Sequence, residues 1–206
     1  MGLPGAGKGT QAQLLAGHGW HHISVGGLVR AEVVARSRWG ERAAAMMRRG
    51  DLVPSRAIQD LLARELRNCK LPVVIDGYPR RLSEADSLSR LFGCETKLTY
   101  FLLDIPSKEA ISRLAGRLSC GRCEYVVRRG EHASCPLCSG SLVSRDDDSS
   151  LEVVQSRLHN FGRETVPLVR HYQSLGELEL IDALLDEVKV HEELISRIEK
   201  RCDLLI

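Results

Sequence analysis

Residues 2–10 of this 206-residue chain, Gly-Leu-Pro-Gly-Ala-Gly-Lys-Gly-Thr, constrain its fold more than any other segment. Closely spaced glycines let the backbone curl so that successive N–H groups point inward and can cradle an anion. The apolar spacing of Gln11–Ala16 predicts a helix directly afterwards, whose N-terminus adds partial positive charge. The pattern fits a Walker A phosphate loop with one extra glycine between Lys8 and Thr10. A Gly-rich flexible N-terminus is the alternative, but it would not explain the helical pattern that follows.

The context of this loop departs from the usual order of elements. A phosphate loop ordinarily follows a buried strand, but only Met1 precedes Gly2. That strand would form the centre of the sheet, so the first core strand is predicted to be missing. Two explanations stay open: a start placed too late, with the strand encoded upstream, or a truncated and inactive product.

Short apolar runs alternate with longer amphipathic stretches in the rest of the chain. Buried parallel strands are predicted at 71–75, 98–103 and, more weakly, 178–181. Helical spacing of apolar residues predicts helices at 11–16, 58–67, 82–91, 108–115, 151–175 and 188–201. Strands separated by helices indicate an α/β fold, with a parallel sheet flanked by helices.

The composition and charge of the chain limit the partners and the compartment that we expect for it. The formal net charge is only +2, so charge alone indicates neither a nucleic-acid nor a membrane partner. No apolar run approaches the roughly 20 residues that span a bilayer. The chain starts without a signal-peptide pattern, so we expect a cytoplasmic, reducing environment. The seven cysteines should then be thiols or metal ligands rather than disulfides.

Four of these cysteines form two Cys-x-x-Cys pairs, at Cys120, Cys123, Cys135 and Cys138. Two such turns can direct four sulfurs at one centre, which is the spacing of a structural zinc site. No coordination position would stay open, so a structural Zn²⁺ is predicted, with free thiols or a redox pair as the alternatives. The other cysteines, Cys69, Cys94 and Cys202, are expected to be thiols in the core or on the surface.

Three further motifs follow the phosphate loop in the order His22-Ile-Ser-Val-Gly-Gly-Leu-Val-Arg30, Asp76-Gly-Tyr-Pro-Arg80 and Arg113-Leu-Ala-Gly-Arg117. Arg145, Asp147, Asp148 and Arg157-Leu158 come later. Together with residues 2–10, these motifs resemble the adenylate kinase family over nearly the whole chain. The resemblance implies the reaction ATP + AMP ⇌ 2 ADP with Mg²⁺. It also implies a P-loop core (1–23, 54–116 and 149–206), a helical monophosphate-binding insert (24–53) and a zinc-bearing lid (117–148).

The resemblance implies a role for each motif residue as well. Phosphoryl transfer needs positioning, charge neutralisation and exclusion of water, and the guanidinium fork suits phosphate oxygens. The implied catalytic residues are Lys8, Arg80, Arg113, Arg145 and Arg157. The implied ATP site comprises Gly5, Ala6, Gly7, Lys8, Gly9, Thr10, Arg113 and Arg117. The implied acceptor site comprises Val25, Arg30, Val53, Gly77, Arg80, Glu84, Arg145 and Arg157. Thr10 and Asp76 would associate with Mg²⁺, while Asp147 and Asp148 would hold the arginines and close the lid.

The acceptor site departs from the family pattern at Val25, Gly27 and Glu84, where the family has Thr, Asp and Gln. An ionised Glu84 only accepts hydrogen bonds, whereas a Gln amide both donates and accepts. Guanine offers two adjacent donors that would match a carboxylate, so GMP is an alternative acceptor. Equally, Glu84 could accept from the N6 amine of adenine or point to solvent.

A second class of function is a nucleotide-responsive binding protein that has lost turnover. The missing strand and the altered acceptor site favour it, but the retained Lys8 and the motif arginines favour a kinase. A zinc-ribbon nucleic-acid module is disfavoured, because the cysteine segment lacks clustered aromatics and a strong basic excess. A monomer is expected, since closure of the lobes of one chain would seal its own site.

Overall fold

The computed structural model describes residues 1–67, 69–93, 96 and 98–203, apart from the side chains of residues 202 and 203. Its strands are β1 (His21–Ser24), β2 (Val73–Asp76), β3 (Tyr100–Asp104), β4 (Arg117–Cys120), β5 (Val126–Arg128), β6 (Leu142–Val143) and β7 (Leu178–Asp182). Its α-helices are α1 (Lys8–Gly17), α2 (Val25–Val34), α3 (Arg38–Arg48), α4 (Ser55–Leu66), α5 (Ala85–Phe92), α6 (Ser107–Ala115), α7 (Leu151–Asn160), α8 (Val166–Ser174) and α9 (Glu187–Asp203).

The parallel strands form two pairs, β1 with β2 and β3 with β7. In the first pair His21 lies opposite Val73, and in the second Tyr100 lies opposite Leu178. Helices connect the strands of each pair, as parallel pairing requires. The α/β class with parallel strands is therefore confirmed. A separate antiparallel sheet has the order β5-β4-β6.

Met1 lies beside β3 as a single residue of a neighbouring strand would. Its amine donates to the carbonyl of Phe101, and its own carbonyl accepts from the amide of Leu103 over 3.0 Å. Gly2 follows with φ 136°, and a Cβ there would overlap the carbonyl oxygen of Leu103. Only glycine therefore allows the chain to turn away from β3 directly after Met1 and enter the phosphate loop.

Several predicted elements differ in detail from the structure. The strand predicted at 71–75 begins only at Val73, because Pro72 has no N–H for a sheet ladder. Strand β1 was not predicted, since three of its four residues are polar and only Ile23 is buried in it. The single helix predicted at 151–175 is interrupted by a π-helical turn at Phe161–Thr165. Cys94 and the side chain of Cys202 lie outside the described residues, whereas Cys69 is half-buried.

Two clusters of buried apolar side chains pack the strands and helices together. One gathers around Ile23, Leu62 and Leu168, and the other packs Leu103 and Ile181 against α9. Within the segment predicted as the insert, 24–53, lie α2 and α3, and within the predicted lid, 117–148, lie β4–β6. The division into three parts stays a prediction. Among the described residues, no helix is long and apolar enough to cross a membrane.

Candidate active site

The phosphate loop turns into α1 through Gly7, whose φ of 85° is left-handed. This conformation is cheap for glycine alone, and it lets the amide of Gln11 bond the carbonyl of Gly7 over 3.0 Å. Nζ of Lys8 donates to the carbonyls of Gly2 and Leu3, at 2.9 and 2.8 Å. Burial, together with the neighbouring cation of Arg80, lowers the pKa of Lys8 to about 7. Two carbonyls of the loop therefore fix the position of its lysine.

Two chambers open from this loop. The first has an apolar end formed by Val25, Val29, Met47, Val53 and Ile58, and its polar residues include Gly77, Arg81 and Glu84. The second is lined by the loop residues Gly5, Ala6, Gly7, Gly9 and Thr10, by Asp76, and by Arg113 and Arg117. Every residue predicted for the acceptor site lines the first chamber, and every residue predicted for the ATP site lines the second.

Five cationic side chains line both chambers: Lys8, Arg30, Arg80, Arg145 and Arg157. They come from five different segments, so only the tertiary fold brings them together. Such a concentration of positive charge is costly unless anions or carboxylates compensate for it. The boundary between the chambers is thus suited to a chain of phosphate groups.

Two aspartates compensate part of this charge. Arg145 donates to Asp147 over 3.0 Å, and Arg157 contacts Asp147 at 3.2 Å and also donates to Asp148. Arg117 donates to Asp148 over 2.8 Å. The nearby arginines hold the pKa of Asp147 well below its usual range, against the effect of burial. Asp147 and Asp148 therefore hold arginines, which agrees with what the resemblance implied.

Arg80 is fixed at the centre of the site by the backbone around it. Its Nε donates to the carbonyl of Gly77 over 2.9 Å, and its own carbonyl accepts from the hydroxyl of Thr165. Burial and the cation of Arg157 lower the pKa of Arg80 from its ordinary value. Arg113 lies to one side, where it donates to Glu109 and to the carbonyl of Ala183. Acceptors of the protein itself therefore orient both guanidinium groups.

Asp76 is the last residue of β2, at the edge of the sheet where ligands of α/β proteins bind. Its Oδ1 is buried without a hydrogen-bond partner among the described residues. Its Oδ2 lies close to the loop, 3.5 Å from where a Cβ on Gly9 would be. A buried carboxylate oxygen without a partner is costly, which makes this position suited to the waters of a hydrated cation.

Glu84 is almost fully buried, with 2% of its side chain exposed. Oε2 accepts from the amides of Arg80 and Arg81, at 2.8 and 3.2 Å. Oε1 accepts from the hydroxyl of Ser55 at 2.5 Å and from Nη1 of Arg81 at 3.4 Å. A carboxylate has about four acceptor positions, so protein donors already occupy those of Glu84. This carboxylate is therefore committed to the protein rather than free for a base.

Arg81 was not among the predicted site residues, although it lines the first chamber. Besides Glu84, its guanidinium donates to the carbonyls of Leu52 and Val53, at 3.3 and 2.9 Å. Arg81 therefore ties the end of segment 24–53 to the residues after β2. No motif marked it, because its role depends on a chain segment about 30 residues away in sequence.

Four cysteine sulfurs meet at the base of the antiparallel sheet. The Sγ atoms of Cys120, Cys123, Cys135 and Cys138 all lie within 4.8 Å of one another. The closest pairs are 3.4–3.5 Å apart, without disulfide bonds. Four sulfurs about 2.3 Å from one zinc ion would be ~3.8 Å apart at tetrahedral angles, so the cluster is compatible with zinc. A side chain at Gly140 would enter this space, since its Cβ would lie 2.9 Å from the sulfur of Cys120.

Comparisons with known proteins agree with this geometry. The family model described as adenylate kinase matches residues 1–177. An adenylate kinase of Chlamydia caviae is 38% identical over 184 residues, which cover 86% of each chain. Those of Clostridium acetobutylicum and Thermodesulfovibrio yellowstonii are 35% and 32% identical, over 94% and 98% of each chain. With a family model covering most of its length and relatives covering nearly all of it, this chain belongs to the adenylate kinase family.

Proposed function

We propose that the chain catalyses the reversible transfer of a phosphoryl group from Mg-ATP to AMP, forming two ADP. Membership of the adenylate kinase family makes it a phosphotransferase of nucleoside monophosphates, and its relatives are named for adenylate, which is AMP. Acceptance of GMP is the less favoured alternative, because the carboxylate of Glu84 is occupied by protein donors.

The observation that carries the proposal is the set of five cations shared by the two chambers. One chamber ends in the apolar surface around Val25 and Ile58, which suits a base, and the other contains the phosphate loop. Two nucleotides bound with their phosphates toward each other would place the transferred group among these cations. Transfer requires such neutralisation of the equatorial oxygens and the alignment of donor and acceptor.

Each cation then has a distinct part in the proposal. Lys8 and the loop amides bind the β- and γ-phosphates of ATP, with Arg113 and Arg117 on the same side. Arg30 and Arg80 hold the acceptor phosphate. Arg145 and Arg157 surround the transferred group. Their ion pairs with Asp147 and Asp148 would keep both guanidinium groups in position for this role.

Two metal ions belong to the proposal. Mg²⁺ would lie near Thr10 and Asp76, where the carboxylate has an unpartnered buried oxygen, and it would neutralise charge on the ATP phosphates. A structural Zn²⁺ would be held by the four cysteines and would stabilise a segment too small to have its own core. We also propose a monomer in the cytoplasm, where thiolate ligands stay reduced.

The test is ADP formation from Mg-ATP with AMP, GMP, CMP and UMP offered in turn. AMP should be the preferred acceptor. Replacement Arg80→Lys keeps the charge but loses the planar fork, and it should lower kcat/KM for AMP about 100-fold. The exposed Arg67, whose side chain among the described residues donates only to the carbonyl of Ala63, provides the matched control Arg67→Lys. Folded protein without turnover for any acceptor would contradict the proposal, as would full activity of Arg80→Lys.

A further inference from the structure

The side chain of Arg30, on α2, is paired with a carboxylate from segment 117–148. Its Nε and Nη2 donate to Oε1 and Oε2 of Glu124, at 2.5 and 2.7 Å. Glu124 lies directly after Cys123, between β4 and β5. About a quarter of the Arg30 side chain and a third of the Glu124 side chain are exposed (24% and 33%). The contact therefore joins the segment predicted as the insert to the segment predicted as the lid.

This pairing uses only one edge of the guanidinium. Nη1 of Arg30 is buried and has no hydrogen-bond partner among the described residues. Nη1 also lies close to the backbone, 3.1 Å from where a Cβ on Gly26 would be, and Arg30 lines both chambers. A buried donor without an acceptor is costly, so the arrangement favours an additional anionic ligand at Nη1.

The backbone of Glu124 is itself unusual. Its φ is +61°, in the left-handed region that is unfavourable for a residue with a side chain relative to glycine. Glycine would therefore suit this turn better, unless the side chain had a function. The carboxylate that Glu124 presents to Arg30 is such a function.

Gly27 makes room for this carboxylate. A Cβ at position 27 would overlap Oε2 of Glu124 and lie 3.1 Å from its Cδ. An Asp side chain at position 27 would add repulsion between two carboxylates to that overlap. Gly27 on α2 and the strained Glu124 after Cys123 therefore fit each other.

We propose that Glu124 is a positioning residue for the acceptor phosphate: it docks in the space left by Gly27 and holds Arg30 in the lining of the first chamber, with Nη1 unpaired among the described residues. The proposal rests on the proposed function, which assigns the acceptor phosphate to Arg30. The contact between Glu124 and Arg30 joins segment 117–148 to segment 24–53, so the placement of Glu124 and the orientation of Arg30 depend on each other. Glu124 never touches the substrate and acts only through the arginine.

The test compares steady-state kinetics of the wild-type chain with Glu124→Gln and Glu124→Gly, varying AMP and Mg-ATP separately. Loss of a partly buried charge-assisted pair should raise KM for AMP about tenfold and leave KM for Mg-ATP within about twofold. Glu124→Gly relieves the left-handed backbone, so its thermal stability should be unchanged or higher despite the weaker acceptor binding. Replacement Glu41→Gln, at an exposed position on α3, controls for the loss of one negative charge.

Two further comparisons separate positioning from a merely structural role. In an Arg30→Met background, Glu124→Gln should change kcat/KM by less than about twofold, because the residue through which it acts is gone. Replacement Gly27→Ala should raise KM for AMP in the wild-type chain but have no further effect in Glu124→Gly, where no carboxylate needs the space.

Several results would overturn the inference. They are an unchanged KM for AMP in Glu124→Gln, an equal rise in the KM of both substrates, or additive effects of Glu124→Gln and Arg30→Met. A fall in KM for AMP would also overturn it, since Glu124 would then compete with the acceptor phosphate. Absence of wild-type turnover in the same assay would instead contradict the proposed function itself.

Discussion

Nε of Arg117 donates to Oδ2 of Asp148 over 2.8 Å, and only 14% and 5% of these side chains are exposed. Arg117 begins β4, whereas Asp148 immediately precedes the segment that leads into α7. Asp148 also accepts from Arg157 of α7. The carboxylate of Asp148 thus connects the start of segment 117–148 to its end and to α7, the helix that carries the predicted catalytic residue Arg157.

We expect Asp148→Asn to destabilise the protein by about 3 kcal/mol, because two arginines would lose their buried counter-charge. Chemical denaturation monitored by circular dichroism measures this loss. Asp146→Asn removes the same charge at an exposed neighbouring position and should change stability by less than about 0.5 kcal/mol. Equal stabilities of the two variants would mean that Asp148 has no such role.

Binding of Mg-ATP is expected to take up a proton through Lys8. Its pKa is about 7 in the free protein, and bound phosphates would raise the pKa toward its ordinary value. At pH 8 about 0.9 proton should be taken up per nucleotide, and at pH 6 only about 0.1. Affinity should therefore fall as pH rises above 7.

Calorimetry at each pH, in buffers with different ionisation enthalpies, measures this proton uptake. Lys8→Met removes the titrating group and should bring the uptake at pH 8 close to zero in whatever binding remains. The same uptake at pH 6 and pH 8 in the wild-type chain would argue against a lysine with a lowered pKa.

The purified chain should contain one zinc ion, and Cys135→Ser should lose it, because Cys135 is one of four clustered sulfurs. Without the metal, proteases should cleave segment 117–148 rapidly, while the remainder keeps its helical circular dichroism. Metal analysis and limited proteolysis measure both effects. Cys69→Ser provides a control, since Cys69 is outside the cluster. A metal-free wild-type chain with a protease-resistant lid would rule out a structural zinc.

Replacement Glu84→Gln should cost about 3 kcal/mol of stability and leave AMP preferred over GMP. The four donors around Glu84 would face an amide nitrogen in place of one oxygen, whereas the base would lose no contact. Denaturation curves and the ratio of kcat/KM for the two acceptors provide the measurements. A reversed acceptor preference without loss of stability would show instead that Glu84 contacts the base.

Local patterns were sufficient for much of the fold and site. The helix after the loop follows from glycine spacing and apolar period, and the carboxyl end of β2 follows from an apolar run that ends at Asp76. Strand β1 escaped prediction because His21 and His22 interrupt its apolar pattern, and its pairing with β2 is non-local. The break between α7 and α8 also left no clear periodic signal.

By itself, the sequence determined the phosphate loop, the α/β class and the cysteine spacing, because each depends on residues close together in the chain. Only the tertiary structure decided which partners the isolated charged residues contact. From residue types alone Glu84 could contact a base or point to solvent, yet distant donors such as Ser55 occupy it. Glu124 carried no signal at all until folding placed it against Arg30 and Gly27. Electrostatic partnership depends on distance in space, which residue types and their order do not contain.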